Sequence, residues 1–158
     1  MRLEYLAAPG GRGLDETDLA ADWPTQFGRW LAEAISAEIP EPNAMIFGTA
    51  DAAGRPSGRT VLLKSYDAAG FTLFTSYSSR KGREAAANPY ASLVFPWFVI
   101  HRQVVVAGRV ESVARAETEA YFRIRPRGSR IGAWASPQSS VIGSRGELDD
   151  AWEAMARR

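Results

Sequence analysis

Two periods of apolar residues divide the chain. After Asp22 they recur at helical spacing as Phe27, Trp30, Leu31, Ala34 and Ile35, the core-facing stripe of an amphipathic helix. Asp22 ahead of Trp23-Pro24 supplies an N-cap and an early proline for that helix. From residue 44 the period shortens to two. Ala44 to Ala50 reads as a strand, and Asp51-Ala52-Ala53-Gly54 as a turn. Ser57 to Lys64 reads as a second strand, with Thr60, Leu62 and Lys64 on one face and Arg59, Val61 and Leu63 on the other. Asp67-Ala68-Ala69-Gly70 is a second turn and Phe71 to Thr75 a third strand. Three strands joined by tight turns predict an antiparallel meander.

A short helix follows, capped near Ser78 or Ser79 and ended by Asn88-Pro89. Ala91 to Trp97 and Arg102 to Glu111 read as strands, and residues 116–124 as a helix stopped by Pro126. Ser144-Arg145-Gly146-Glu147 fits a capping box opening a last helix, residues 144–158, through Leu148, Trp152 and Met155. Its closing Arg157-Arg158 suits the negative end of the helix dipole. Five or six short strands with peripheral helices predict a mainly β, α+β chain: one small antiparallel barrel over residues 1–158, with residues 1–21 as a flexible N-terminal segment. A doubly wound parallel sheet is disfavoured, since strands do not alternate with helices and no Gly-x-Gly-x-x-Gly or P-loop occurs.

Composition narrows the functional classes. A hydrophobic content of 46% in 158 residues is enough for one real core. Nineteen basic against eighteen acidic residues leave a net charge of +1, which argues against a dedicated nucleic-acid binder. The absence of cysteine removes disulfides, zinc–thiolate sites and cysteine nucleophiles. No apolar run is long enough to span a bilayer and residues 1–5 lack a signal-peptide core, so a soluble cytoplasmic protein is expected. The single histidine, His101, has no Gly-x-Ser-x-Gly partner and no carboxylate cluster beside it. It reads as a surface or ladder residue, and no metal site is expected.

The chemistry concentrates in residues 125–139, which hold three arginines, three serines and a glutamine. Clustered guanidinium and hydroxyl donors suit phosphate, and no strong base or metal ligand accompanies them. Arg59 and Lys64, five apart on one strand, face opposite sides and are able to serve different ligands. Arg80-Lys81 stands at a helix start, where free N–H groups also bind phosphate. Each of these groups alone is an ordinary surface charge; jointly they point to an anionic ligand. Gln103, in an otherwise apolar strand, is either an exposed polar residue or a donor to a bound heterocycle. Trp97, Trp134, Tyr121 and Phe122 either pack the core or stack on such a ring.

Several blocks together resemble the pyridoxamine 5'-phosphate oxidase family: Glu41-Pro42-Asn43-Ala44-Met45, Arg59 through Lys64, Ser79-Arg80-Lys81-Gly82, Phe95-Pro96-Trp97, Arg102-Gln103-Val104, and Arg125 through Ser139. The likeness runs from Arg2-Leu3-Glu4-Tyr5 to the final helix. It implies a split β-barrel that binds FMN at the interface of a homodimer. By position it implies flavin-binding roles for Arg59, Thr60, Val61, Leu62, Leu63 and Lys64, for Phe74 and Thr75, for Arg80 and Lys81, and for Gln103, Gln138 and Ser139. Arg59, Arg80 and Lys81 would hold the FMN phosphate. Lys64, Tyr121, Arg125 and Ser129 would grip a substrate phosphate, under an N-terminal segment carrying Arg2 and Tyr5. The implied activity is oxidation of pyridoxamine or pyridoxine 5'-phosphate to pyridoxal 5'-phosphate, with O2 reduced to H2O2. No catalytic side chain is assigned, because the flavin carries the hard step.

The resemblance also implies a C-terminal Trp touching the flavin and an Arg-x-His group over the substrate ring, and this sequence contains neither after its last helix. An incomplete version of a normal oxidase is the expectation, given the fit at Lys64, Tyr121, Arg125 and Ser129. The alternatives are a short relative acting on another ring, such as a phenazine precursor, and a non-catalytic flavin or pyridoxal 5'-phosphate binder. His101 stands where many relatives carry an acidic residue, and the residues give no account of it.

Overall fold

The computed structural model describes residues 14–158. Helix α1 spans Trp23–Ser36, and the Asp22 carboxylate caps it by accepting from the Thr25 N–H at 2.8 Å. Six strands follow: β1 Ala44–Ala50, β2 Pro56–Leu62, β3 Ser65–Asp67, β4 Gly70–Thr72, β5 Tyr90–Trp97 and β6 Arg102–Arg109. Helix α2, Arg80–Ala87, lies between β4 and β5; α3 Arg115–Ile124, α4 Arg127–Ala135 and α5 Arg145–Ala156 close the chain. The sheet is antiparallel with order β2-β1-β5-β6, and β3 and β4 form a separate hairpin.

The two sheets are joined through aromatic rings. Phe27 of α1 lies 4.7 Å from Tyr66 and 4.9 Å from Phe71 on the hairpin, and 5.0 Å from Phe95 on β5. Edge-to-face contacts at such separations add to the burial of the rings themselves. The hairpin closes so tightly on α1 that a Cβ at Gly28 would lie 2.8 Å from the Tyr66 hydroxyl. Met45, Phe47, Leu93, Phe95 and Trp97 fill the face of the sheet beneath α1. Trp97 also donates its indole N–H to the Pro42 carbonyl at 2.8 Å.

Several expectations need correction. The strand expected over Ser57–Lys64 ends at Leu62. The strand expected over Phe71–Thr75 is the shorter Gly70–Thr72, and it pairs with Ser65–Asp67 rather than continuing a meander. The chain leaves the sheet at Leu63, whose N–H bonds to the Asn43 carbonyl, and joins the hairpin at Lys64, whose N–H bonds to the Thr72 carbonyl. That crossover separates the β3–β4 hairpin from the four-stranded sheet. Within residues 125–139, Arg127–Ala135 forms a helix that the sequence reading did not assign, with Ile131 and Ala135 buried. Gly128 and Gly132 make room on α4 for the Trp152 ring of α5, a contact between distant residues that local periodicity does not reveal. In the last helix Ser144 caps the Glu147 N–H as expected, but the Glu147 carboxylate reaches the N–H of Gly143, one residue before the cap. Residues 16–18, inside the expected flexible segment 1–21, form a single 3-10 turn.

Candidate functional site

The register of β1 on β2 sets Thr49 opposite Ser57 and Phe47 opposite Arg59. All four side chains point to the inner face, where the apolar core ends and a polar cluster begins. Helix α2 covers that end, with Lys81 and Glu84 buried. Its start is fixed by Ser79, which donates to the Ser76 carbonyl at 2.6 Å and accepts from the Gly82 N–H at 3.3 Å. A Cβ at Gly82 would sit 2.4 Å from the Tyr77 carbonyl oxygen, so only glycine lets the preceding loop fold back over this first turn.

The result is a cleft of about 340 Å³ lined by Ser57, Gly58, Arg59 and Thr60 of β2, Arg80 and Lys81 of α2, and Gln138 and Ser139. Three cations therefore share one cleft. Lys81 donates to the Gln138 side-chain oxygen at 2.7 Å. Burial, and then the nearby Arg59 charge, push its ammonium below the ordinary lysine value. An anion in the cleft would relieve both costs. The first-turn N–H groups of α2 add further donors. Ser139 takes a positive φ of 65°, which directs the chain back over the cleft.

Sequence reasoning missed the counter-charge. The Glu84 carboxylate accepts from the Ser57 and Thr49 hydroxyls at 2.5 Å each, from Arg59 Nη2 at 3.3 Å and from Arg80 Nε at 2.7 Å. Arg59 Nη1 donates to the Phe47 carbonyl at 2.9 Å and to Thr49 Oγ1 at 2.6 Å, and Nη2 also donates to Ser57. Both terminal nitrogens of Arg59 are thus engaged by protein, which leaves Nε–H as its remaining donor. One signal was available: Arg80 and Glu84 are four apart on one helix.

These bonds, Ser57 first and Thr49 next, hold the Glu84 pKa down to about 2 from 4.5. The unfolded chain takes up this proton near the ordinary value, and the folded chain only near 2. Stability from this group is complete above about pH 4.5 and is lost as pH falls towards about 2. Thermal melts across that window should show a falling midpoint, and Glu84→Gln should flatten this part of the decline. Parallel curves for the two proteins would contradict the network.

The remaining expected site residues are placed elsewhere. Phe74 stacks on Tyr121 at 4.0 Å, nearly parallel at 6°. Lys64 Nζ stands 5.9 Å from the Tyr121 ring, and the Arg125 guanidinium 6.0 Å from it. Lys64, Phe74, Tyr121 and Arg125 thus form a second group, cationic and aromatic. Arg125 precedes α4, whose N-terminus has no side-chain cap, and Ser129 lies exposed in its first turn. Val61 and Leu63 face the core, Leu62 the opposite side of β2, and Thr75 is half-buried. Gln103 lies on β6, at the far edge of the sheet from β2. Arg2 and Tyr5 fall outside the described residues. His101, in a left-handed conformation with φ 51°, ends the 3-10 turn Phe98–Ile100. Among the described residues no group of three His, Cys, Asp or Glu could hold a metal, and no helix is long and apolar enough to cross a membrane.

The chain is similar to known proteins over most of its length. The family model described as pyridoxamine 5'-phosphate oxidase matches residues 31–156. A pyridoxine/pyridoxamine 5'-phosphate oxidase of Salinispora arenicola is 65% identical over the whole chain, which spans 70% of that relative. One from Streptomyces avermitilis is 59% identical over 92% of the chain and 67% of its own length. The crystal structure of PhzG from Burkholderia lata, in complex with tetrahydrophenazine-1-carboxylic acid, superposes with a TM-score of 0.85 at 28% identity, covering 89% of this chain and 70% of that one. A pyridoxamine 5'-phosphate oxidase-related, FMN binding protein of Nostoc punctiforme has a TM-score of 0.62 over 84% of this chain and 72% of its own, and at 17% identity supports the fold alone. The fold is the mixed α+β split barrel of these proteins.

Proposed function

The chain belongs to the pyridoxamine 5'-phosphate oxidase family, and from that premise we propose that it binds FMN and oxidises pyridoxamine or pyridoxine 5'-phosphate to pyridoxal 5'-phosphate. The observation that carries this reading is the presence of two separate cationic sites. One is the cleft of Arg59, Arg80 and Lys81; the other is the Lys64, Tyr121 and Arg125 group beside the uncapped start of α4. Two phosphorylated ligands, a coenzyme and a substrate, account for both.

The residues of the cleft fit a phosphate monoester. A buried lysine with depressed basicity, two arginines and a helix start with open N–H groups make a site whose positive charge lacks balance without a dianion. When bound, FMN supplies the redox chemistry, taking two electrons from the substrate C4' carbon and passing them to O2; the alcohol gives the aldehyde and H2O2, and the amine, with one water, gives the aldehyde, ammonia and H2O2. Arg59, Arg80 and Lys81 anchor the coenzyme tail. Lys64, Arg125 and Ser129 anchor the substrate tail, and the Tyr121–Phe74 stack within that second group offers a flat apolar surface. Fixing both tails sets the reacting carbon in one orientation, which is an entropic contribution to rate.

A homodimer fits the same reading. Gln103 and the cleft lie at opposite edges of a four-stranded sheet, roughly 14 Å apart at ordinary strand spacing. With Gln103 supplied by a second copy, one bound coenzyme would meet both without crossing the sheet. The apolar outer sheet face around Ile46 and Val105 offers the surface for it.

Anaerobic addition of pyridoxamine 5'-phosphate to the FMN-loaded protein should bleach the flavin absorbance. Air should then restore it, with pyridoxal 5'-phosphate and H2O2 formed in equal amounts. Flavin that stays oxidised with either B6 phosphate would remove this assignment. The PhzG likeness supports a second reading, a flavoenzyme acting on another reduced ring. Bleaching by a reduced phenazine acid and not by the B6 phosphates would establish it. Tight flavin retention with no reduction by any donor would mark a non-catalytic binder.

A further inference from the structure

We propose that Glu84 is a positioning residue for the coenzyme phosphate: one buried carboxylate aims Arg59 and Arg80 into the cleft and sets the direction of the two hydroxyls between them. The proposal rests on the FMN reading above and assigns a role to a residue that need not touch the ligand.

The directionality follows from proton counting. Ser57 and Thr49 each carry a single hydroxyl proton, and each stands 2.5 Å from Glu84 Oε2. A carboxylate only accepts, so both protons go to it. The hydroxyl lone pairs are then left to receive the Arg59 terminal nitrogens, Nη2 at Ser57 and Nη1 at Thr49. With the Phe47 carbonyl also engaged, the guanidinium plane is fixed to β1, β2 and α2 together. Arg80 depends on Glu84 more simply. Its side chain is 59% exposed, and among its hydrogen bonds to described residues only Nε to Glu84 Oε1, at 2.7 Å, holds it in place. That bond leaves both of its terminal nitrogens for a ligand. Ordering a long side chain before the ligand arrives removes part of the entropy lost on binding.

An amide cannot reproduce this pattern. Gln has one accepting oxygen and one donating NH2. With the oxygen towards the hydroxyls, its NH2 meets the Arg80 Nε–H, donor against donor. With the amide reversed, the two hydroxyl protons lose their acceptor. One half of the array fails in either orientation, although the side chain keeps its size.

Charge and positioning predict opposite signs. Removing a negative charge from beside a site for a dianion would by itself tighten phosphate binding. Loss of positioning weakens it. Riboflavin, which shares the ring system and lacks the phosphate, separates a phosphate effect from a packing effect. Quenching of flavin fluorescence by the apoprotein reads both dissociation constants. Glu84→Gln is expected to raise the Kd for FMN about tenfold or more, the equivalent of losing one charge-assisted hydrogen bond, with the riboflavin Kd changed less than about twofold. Ser57→Ala keeps the carboxylate and removes one bridge. It should shift the FMN-to-riboflavin ratio in the same direction by a smaller factor, and it tests the idea even if Glu84→Gln folds poorly.

Unchanged or tighter FMN binding by Glu84→Gln would overturn the proposal. So would an equal weakening for both ligands, or a Ser57→Ala ratio identical to that of the wild type. A wild-type protein with no affinity for FMN would take down the cofactor assignment and this proposal together, whereas wild-type binding with an unaltered variant ratio would take down the proposal alone.

Discussion

Arg59→Ala is expected to lose FMN and thermal stability together. The guanidinium bonds to the Phe47 carbonyl, Thr49, Ser57 and Glu84, and so ties two strands to α2. Without it, Glu84 keeps Arg80 as its cationic partner, and that side chain is largely exposed. A charge-assisted hydrogen bond contributes about 1.5–3 kcal/mol. The Arg59 side chain is 22% exposed, which screens part of this. A total near 3 kcal/mol is therefore the expectation, or a melting midpoint lower by roughly 6–12 °C for a chain of this length. The FMN Kd should rise by roughly ten- to a hundredfold, the equivalent of the one charge-assisted bond that its Nε–H has left to give. Arg125→Ala supplies the contrast. Its guanidinium stands against the Tyr121 and Phe122 rings, away from the cleft. FMN affinity should hold, while the KM for the phosphorylated substrate rises by a factor on the order of ten. Equal loss of flavin in the two variants would show that the division into two phosphate sites is wrong.

Trp97→Ala has the largest expected effect on folding. Trp97 is among the largest fully buried side chains, packed 5.5 Å from Phe95 and 5.8 Å from Phe27. Deleting a buried Trp costs about 3–5 kcal/mol, and the Pro42 carbonyl loses its indole donor as well. The midpoint should fall by roughly 6–20 °C. Trp134→Ala is the matched control, because that ring is 72% exposed and its removal should change the midpoint little. A Trp97 variant no less stable than the Trp134 variant would refute the assignment of the core. Trp97→Phe keeps most of the packing and loses the N–H donor, so it should fall between the two.

The elements that the sequence made legible are those whose causes lie within a few residues. Asp22 with Pro24 opens α1, and Ser79 with Asn88-Pro89 brackets α2, because caps and prolines act on adjacent backbone groups. Ala44–Ala50 and its turn were readable because a half-buried strand alternates and Asp51-Ala52-Ala53-Gly54 bends the chain on its own hydrogen bonds. Of the candidate site, Arg80-Lys81 was readable for the same reason, as a basic pair at a recognisable helix start. Arg59, Gln138 and Ser139 stood among the candidate phosphate donors, the family resemblance gave them one shared ligand, and the fold brings them to one cleft.

What local pattern could not supply was partnership at a distance. Phe71 looked like the next strand of a meander, yet Leu63 and Lys64 carry the chain across to a second sheet and Gly70–Thr72 pairs with Ser65–Asp67. Helix α4 forms with the Trp152 ring of α5 packed against its Gly132. Glu84 drew no reading from local pattern, and only β-strand register places Thr49 and Ser57 over it. The sequence by itself determined the chain's periods, its caps and its stock of phosphate-binding donors, since these depend on residue type and near neighbours. Only the tertiary structure decided which of those donors share a cleft and which carboxylate holds them, because hydrogen bonds and buried charge pairs act over a few ångströms in space and take no account of separation along the chain.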